Sequence, residues 1–385
     1  MYKIIHIHND IKFIDETAYF DNPLFKNEVV IFGKRGVYKG KYKETAQYLR
    51  PLKSNIGGLI KHCNEADLVV MYNLCPIKSY IANRLAANIK IAWRFFGHEL
   101  YKYDLASQQS DLTKEMLKPD KKIFYDFREM KELLYQARNI VRNLIMPNNL
   151  QPDATGEYEF KKVINRADFF LWHYKEEHEV LKKRWPNLPQ FMQTPTIINH
   201  IKLNSSGKKQ HTIIIGNSKN PLNNHFDILN SLLISKHFHQ YQYMIPFSYG
   251  KESNYANNLI KKIKDYPNIT LLEKFLPMSD YALMFCNASA FVMNSYRQRA
   301  LGNILIALQT GVKVYLNKKN IIFSVLTSRG FWVYTIEQFW DDLENNNVIM
   351  NSAKAEHNVS KIKQLGEKNS VEHFHEDVLK ILRER

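Results

Sequence analysis

The sequence predicts an α/β protein of two doubly wound, Rossmann-like domains facing a cleft. Three observations predict it. Short apolar runs such as DLVVMY (67–72), TIII (212–215) and AFVM (290–293) lack polar alternation, as strands buried on both faces do. Helical patterns separate these runs at the spacing of βαβ units. A stretch marked by Pro186, Pro189 and Pro195, residues 186–210, has no sustained period and reads as a linker. The expected domains are 1–200 and 201–340, with 341–385 a C-terminal helical segment packing back on the first.

The composition is that of a globular chain: 385 residues, 45% hydrophobic and 24% charged. Its apolar runs fall well short of the ~18 residues that span a bilayer. The opening MYKIIHIHND has neither the long apolar core nor the small-residue cleavage site of a signal peptide, and reads as a first strand. Cys63, Cys75 and Cys286 lie far apart and form no CxxC pair, which fits a reducing, cytoplasmic location. The net charge is +16, with 31 basic and 23 acidic side chains in residues 1–200 and the same excess in the remainder. A spread excess favours a small anionic ligand or an anionic membrane surface over a nucleic-acid arm. A plain solvated basic surface also accounts for it. Without a zinc finger, RNP signature or Arg-rich block, nucleic acid is not an expected partner.

Taken in order, Tyr2–His8 and Glu28–Phe32 are strands, the second ending at Gly33. Residues 55–64 are helical, 67–72 a strand, 77–87 a helix, and KIAWRFF (90–96) a strand ending at Gly97. From Lys121 to Met146 runs a basic amphipathic pattern that Pro147 stops. It reads as a helix lying in a membrane interface or as a core helix with a solvated face. Phe169–Trp172 returns as a strand and 175–185 as a helix. In the second half, strands are expected at 212–215, 241–246, 269–272, 290–293 and 312–316, with 331–340 closing the sheet. Helices are expected from near Asn223, over 254–263, over 279–285 with Ser279 as N-cap, and from Gly302-Asn303. The tail is polar and helical, with His373 and His375 at its surface.

Ligands of such sheets gather at the carboxyl ends of the strands. In the first half those tips are His8-Asn9-Asp10, Gly33-Lys34-Arg35, Asn73 and Gly97-His98-Glu99. Glu99 at a strand tip can take a proton from an incoming hydroxyl, or it can simply cap locally. His98 beside it fits a positioning role. His6 and His8 share a strand face, but no third metal ligand is evident. In the second half, the strand 212–215 stops at Gly216-Asn217-Ser218 and a helical pattern starts near Asn223. Strand, glycine turn and helix N-terminus is a phosphate-holding arrangement, and equally an ordinary turn. Tyr249 sits in the Phe247–Gly250 tip. After 290–293 come Tyr296, Arg297, Gln298 and Arg299, then Gly302 and Asn303. Guanidinium groups beside a helix N-terminus form an anion grip, unless both arginines are merely at the surface. Two α/β domains facing across a cleft make the glycosyltransferase B architecture.

These residues resemble glycosyltransferase family 56, the 4-acetamido-4,6-dideoxygalactose (Fuc4NAc) transferases that act on a lipid-linked intermediate of enterobacterial common antigen. The matching pieces are IIIGNS…NNH (213–225), IPFSYG (245–250) and SDYALMFCNASAFVM…RQ…LGN…L…GVKVYLNKKN (279–320). WRFFGHELY (93–101) resembles the family's W…GADLY segment, with Glu99 in place of aspartate and His98 in place of alanine. Residues 102–160 match poorly. The resemblance implies a cytoplasmic enzyme on the inner membrane face, a dTDP- or UDP-sugar donor, and inversion at the sugar carbon. It also implies a lipid-diphosphate-linked saccharide acceptor, with no metal and no other cofactor. The first domain would then serve the acceptor, with Glu99 as base and His98 placing substrate. The second would hold the donor through Gly216, Asn217, Ser218, Asn224, Tyr249, Tyr296, Arg297, Gln298, Arg299, Gly302 and Asn303. Two other readings share the architecture: a nucleotide-sugar epimerase, and a non-enzymatic two-lobed sugar-binding protein.

Overall fold

The computed structural model describes residues 1–118, 152–195, 209–368 and 370–384. The amphipathic pattern at 121–146 lies outside them. The chain forms two compact units, one holding 1–102, 152–195 and 370–384, the other 103–118 and 209–368.

The first unit is a seven-stranded sheet of β1 (Tyr2–His8), β2 (Phe25–Phe32), β3 (Gln47–Leu49), β4 (Leu68–Tyr72), β5 (Lys90–Arg94), β6 (Phe169–Trp172) and β7 (Gln190–Gln193). Its order is β3-β2-β1-β4-β5-β6-β7, and neighbouring strands pair in parallel, for instance Ile5 opposite both Glu28 and Val69. β4 is buried along its whole length, as expected of a central parallel strand. The strand order reverses between β1 and β4, which marks where a ligand pocket forms. The tail helix Val371–Arg383 lays Phe374, Val378 and Leu382 on the core of Ile4, Phe20 and Leu68.

Several expectations are corrected in this unit. The segment 186–210, read as a linker, contributes β7, which pairs with β6 at the sheet edge between Pro189 and Pro195. His375 is buried rather than at the surface. Its Nε2 lies 2.9 Å from the Tyr19 carbonyl and its Nδ1 3.1 Å from Asn22 Nδ2. His6 and His8, for which no third metal ligand is expected, each bond within the unit. His6 sits between the Tyr72 hydroxyl (3.2 Å) and Asn27 Oδ1 (3.0 Å), and His8 bonds Thr17 (2.9 Å). Among the described residues, no group of three or more His, Cys, Asp or Glu could hold a metal.

The second unit is a six-stranded parallel sheet of β8 (Thr212–Ile215), β9 (Gln242–Pro246), β10 (Ile269–Leu272), β11 (Ala290–Met293), β12 (Lys313–Leu316) and β13 (Tyr334–Thr335). Its order, β10-β9-β8-β11-β12-β13, reverses between β8 and β11. Tyr243, Ile245, Leu229, Leu259 and Val292 form its core.

Residues 103–118, expected in the first domain, belong here. Leu112, Met116 and Leu117 of the helix Asp111–Leu117 pack on the second core, and Ser110 caps that helix by accepting from Thr113 N (3.0 Å). Only Tyr334–Thr335 of the 331–340 run is strand. A capping box between Thr335 and Gln338 starts the helix Ile336–Glu344 there instead. Ser279 is not an N-cap. Its helix begins at Met278 after Pro277, and the Ser279 hydroxyl bonds Asp280 (3.3 Å). No helix among the described residues is long and apolar enough to cross a membrane.

Candidate active site

At the β8–β11 reversal, Gly216 turns the chain with φ +69°. A side chain there would collide with His225, since a Cβ would lie 2.6 Å from its Nε2. The turn is tied from within by Asn223, a residue the sequence reading passed over. Its Oδ1 accepts from Asn217 N (3.2 Å) and its Nδ2 donates to the carbonyls of Ser218 (3.0 Å) and Asn220 (2.9 Å). Gly216 N donates to the Val292 carbonyl (2.9 Å). Two of the amides expected to face a diphosphate, those of Gly216 and Asn217, are therefore spent inside the protein. Ser218 is fully buried.

Asn224 is likewise structural rather than ligand-facing. It is buried with φ +49°, accepts from Ser110 N (3.0 Å), and donates to the carbonyls of Gln108 (3.3 Å) and Asn294 (3.0 Å). Asn294 Nδ2 returns a bond to the Asn224 carbonyl (3.3 Å). The loops after β8 and β11 are thus locked together where the strand order reverses. His225, which opens the helix His225–Leu232, is fully buried with its backbone N–H on the Tyr255 hydroxyl (2.8 Å). Burial, with the nearby Arg299 charge, lowers its pKa to about 3, so the imidazole is neutral.

The loop after β11 carries the charge. Ser295 is buried and donates to the Arg297 carbonyl (3.1 Å), and Arg297 Nη1 donates to the Gln298 carbonyl (3.3 Å). Gln298 is buried. Burial first, then the Arg297 charge, lowers the Arg299 pKa to about 9, and the Tyr249 hydroxyl offsets this in part. No carboxylate of the described residues pairs with Arg299. Ala300 takes a left-handed turn, φ +53°, and the helix Leu301–Gln309 follows. The first amides of such a helix have no partner within it. Gly302 is exposed, with open space where its Cβ would be. Asn303 donates to the Tyr281 hydroxyl (2.8 Å), which occupies its amide nitrogen. Tyr296 lies 4.2 Å beneath the Lys319 ammonium, and Tyr249 is half exposed. The structure thus brings Tyr249, Tyr296, Arg297, Arg299 and Gly302 to the carboxyl end of the second sheet.

In the first unit, Gly97 turns with φ +94° into the short helix His98–Tyr101. The Glu99 side chain has no exposed surface, whereas that of His98 is 61% exposed. Both Glu99 oxygens accept from Phe96 N (3.2 and 3.3 Å), Trp93 Nε1 donates at 3.3 Å, and His98 Nδ1 lies 3.3 Å from Oε2. Glu99 therefore does not present itself to a substrate, contrary to the role expected of it. The imidazole leaning on it is exposed.

Nearby strand ends hold polar groups with no signal in the sequence. Arg94 Nε donates to Glu16 (2.8 Å), and its Nη2 lies 3.0 Å from His173 Nε2. Lys78 is fully buried on Asn9 Oδ1 (2.6 Å) and the Tyr72 carbonyl, and burial lowers its pKa to about 8.

The chain adopts the fold of Anabaena HepE, solved with UDP-glucose (TM-score 0.63, 9% identity, both chains covered in full). Sucrose-phosphate synthase from Thermosynechococcus elongatus is similar too (TM-score 0.60, 11% identity, 100% of this chain and 98% of that one). So is an alpha-glucosyltransferase in complex with UDP (TM-score 0.55, 11% identity, both chains in full). At these identities the likeness establishes the glycosyltransferase B fold. No curated protein matches the chain in sequence. The family model of the 4-alpha-L-fucosyltransferases, glycosyl transferase group 56, matches residues 164–362. That span holds the whole β8–β13 sheet and leaves out His98 and Glu99. It is just over half of the chain, and the protein is therefore a glycosyltransferase belonging to group 56.

Proposed function

We propose that the protein transfers a deoxy or acetamido sugar from a dTDP- or UDP-sugar to a lipid-diphosphate-linked saccharide, with inversion and without a metal ion. It would act in surface glycan assembly, such as O-antigen or common-antigen-like polymers, from the cytoplasmic face of the inner membrane. The observation that carries the donor half is Arg299, a guanidinium beside Arg297 with no carboxylate to neutralise it. Such an arrangement is costly unless an anion completes it. A nucleoside diphosphate supplies that anion. UDP in the solved HepE and alpha-glucosyltransferase structures fits the same reading.

The chemistry follows from the side chains. An acceptor hydroxyl oxygen bonds to the anomeric carbon as the bond from that carbon to the diphosphate oxygen breaks. The bonding electrons leave with the diphosphate. Arg297, Arg299 and the amides opening Leu301–Gln309 meet the growing negative charge, the part a divalent cation plays elsewhere. The hydroxyl proton passes to the exposed His98 imidazole. Glu99, held by Trp93 and Phe96, orients that ring. A single displacement inverts the anomeric carbon.

The test is nucleoside diphosphate release from UDP- and dTDP-sugars with and without a lipid-diphosphate saccharide. Acceptor-dependent release supports the reading. A free epimer without release, or binding without turnover, would sink it.

A further inference from the structure

We infer a second anion site in the first unit, at the carboxyl ends of β2 and β3, that takes a phosphate or diphosphate group and is independent of the donor-site reading. A cavity of about 450 Å³ opens there, lined by Gly33, Lys34, Arg35, Tyr48 and Arg50 among others. That volume lies within the ~300–1,000 Å³ of small-ligand sites.

Charge concentrates at this place. Residues 33–50 hold six basic side chains and one acidic. The neighbouring carboxylates are already committed. Asp15 accepts from the Tyr38 hydroxyl and from Lys41 N (3.4 Å), Asp21 accepts from the Tyr42 hydroxyl (3.2 Å) and pairs with Lys41, and Glu44 pairs with Lys43 (3.8 Å). Lys34, Arg35 and Arg50 are left exposed with no carboxylate partner among the described residues.

The loop beneath them is built, not loose. Tyr38 and Tyr42 are buried against Ile14, Val29 and Ile31, with Tyr48 packed alongside. Gly40 is required because the Tyr38 hydroxyl and Asp15 fill the space of a side chain there, 2.5 and 2.6 Å from a Cβ. The Tyr48 hydroxyl is buried and makes no hydrogen bond. Two guanidinium forks and one ammonium on the rim of a fixed pocket match the oxygens of a phosphate group. The group can belong to a soluble molecule or to a lipid headgroup.

The experiment is calorimetric titration of the full chain with inorganic pyrophosphate, alongside sedimentation with phosphatidylglycerol and with phosphatidylcholine vesicles. Lys34→Ala/Arg35→Ala/Arg50→Ala is compared with wild type, with Arg299→Ala, and with Lys39→Ala, an exposed cation outside the pocket. The expected result is a pyrophosphate site weakened more than about tenfold in the triple variant and kept in Arg299→Ala and Lys39→Ala. Loss confined to phosphatidylglycerol vesicles by a similar factor also supports the site and assigns the phosphate to a headgroup. A triple variant equal to wild type with both probes overturns it. Because Arg299→Ala leaves this pocket untouched, failure here and failure of the donor reading are told apart. All three substituted side chains are exposed, and an unchanged thermal midpoint confirms that the variant folds.

Discussion

The imidazole of His225 occupies the place a side chain on residue 216 would need, with Nε2 only 2.6 Å from where a Cβ would stand. Gly216 is thus fixed twice, by its left-handed backbone and by its neighbour. Gly216→Ala is expected to lower stability by about 1–3 kcal/mol, read by urea unfolding. Nucleotide affinity should fall with it in the proposed mechanism, because the displaced ring lies close enough to Arg299 to feel its charge.

Arg299→Ala is expected to weaken nucleoside diphosphate binding about 10- to 100-fold, the loss of one or two charge-assisted hydrogen bonds. Stability should hold or rise, since a repelling neighbour of Arg297 is removed. Arg299→Lys should restore little, because an ammonium lacks the fork. Unchanged affinity in titrations would show that the diphosphate lies elsewhere.

His98→Ala is expected to cut kcat about 10²–10⁴-fold with donor affinity unchanged. Glu99→Gln should also cut kcat, but by less, as the ring keeps a hydrogen-bonding neighbour. If Glu99→Gln alone lost activity while His98→Ala turned over normally, the roles would be reversed.

Acid should destabilise the fold through its buried imidazoles. His225 has its pKa lowered from 6.5 to about 3, and His6 from 6.5 to about 4, both chiefly by burial. The unfolded chain therefore binds these protons first, and stability falls as pH drops from 6.5 toward 4. Each such group contributes about 1.4 kcal/mol per pH unit in that window. His225→Gln should make the slope shallower by that amount, measured as unfolding free energy against pH.

Turnover should persist at full rate in excess EDTA, because arginines and helix amides carry the leaving-group charge in the proposed mechanism. A rate restored only by added Mg²⁺ or Mn²⁺ would refute metal independence.

The interior strands were legible because both their faces are covered, so β4, β8 and β11 carry no polar alternation. β3 was not, since one exposed and two half-buried residues, QYL, make no pattern. The 3₁₀ helix Ile11–Phe20 has no period that marks it. The location of the loops after β8 and β11 was readable from glycine and polar residues ending apolar runs. Which atoms face outward was not. Asn217, Asn223 and Asn224 are the same kind of side chain in one short stretch, and only tertiary partners such as Ser110 and Asn294 separate their roles. The burial of Glu99 depends on Trp93 and on the turn at Gly97, neither of which composition reveals.

Residues 103–118 lie in the second unit, 152–195 in the first, 209–368 in the second and 370–384 in the first again. No single cut of the polypeptide can therefore release either half intact. A fragment starting near residue 200 would lack Leu112, Met116 and Leu117 over its core, and its counterpart would lack Phe374, Val378 and Leu382. Each would bare an oily patch to water, so attempts to express the second unit alone from residue 200 onward should give insoluble material unless the 103–118 peptide is supplied with it.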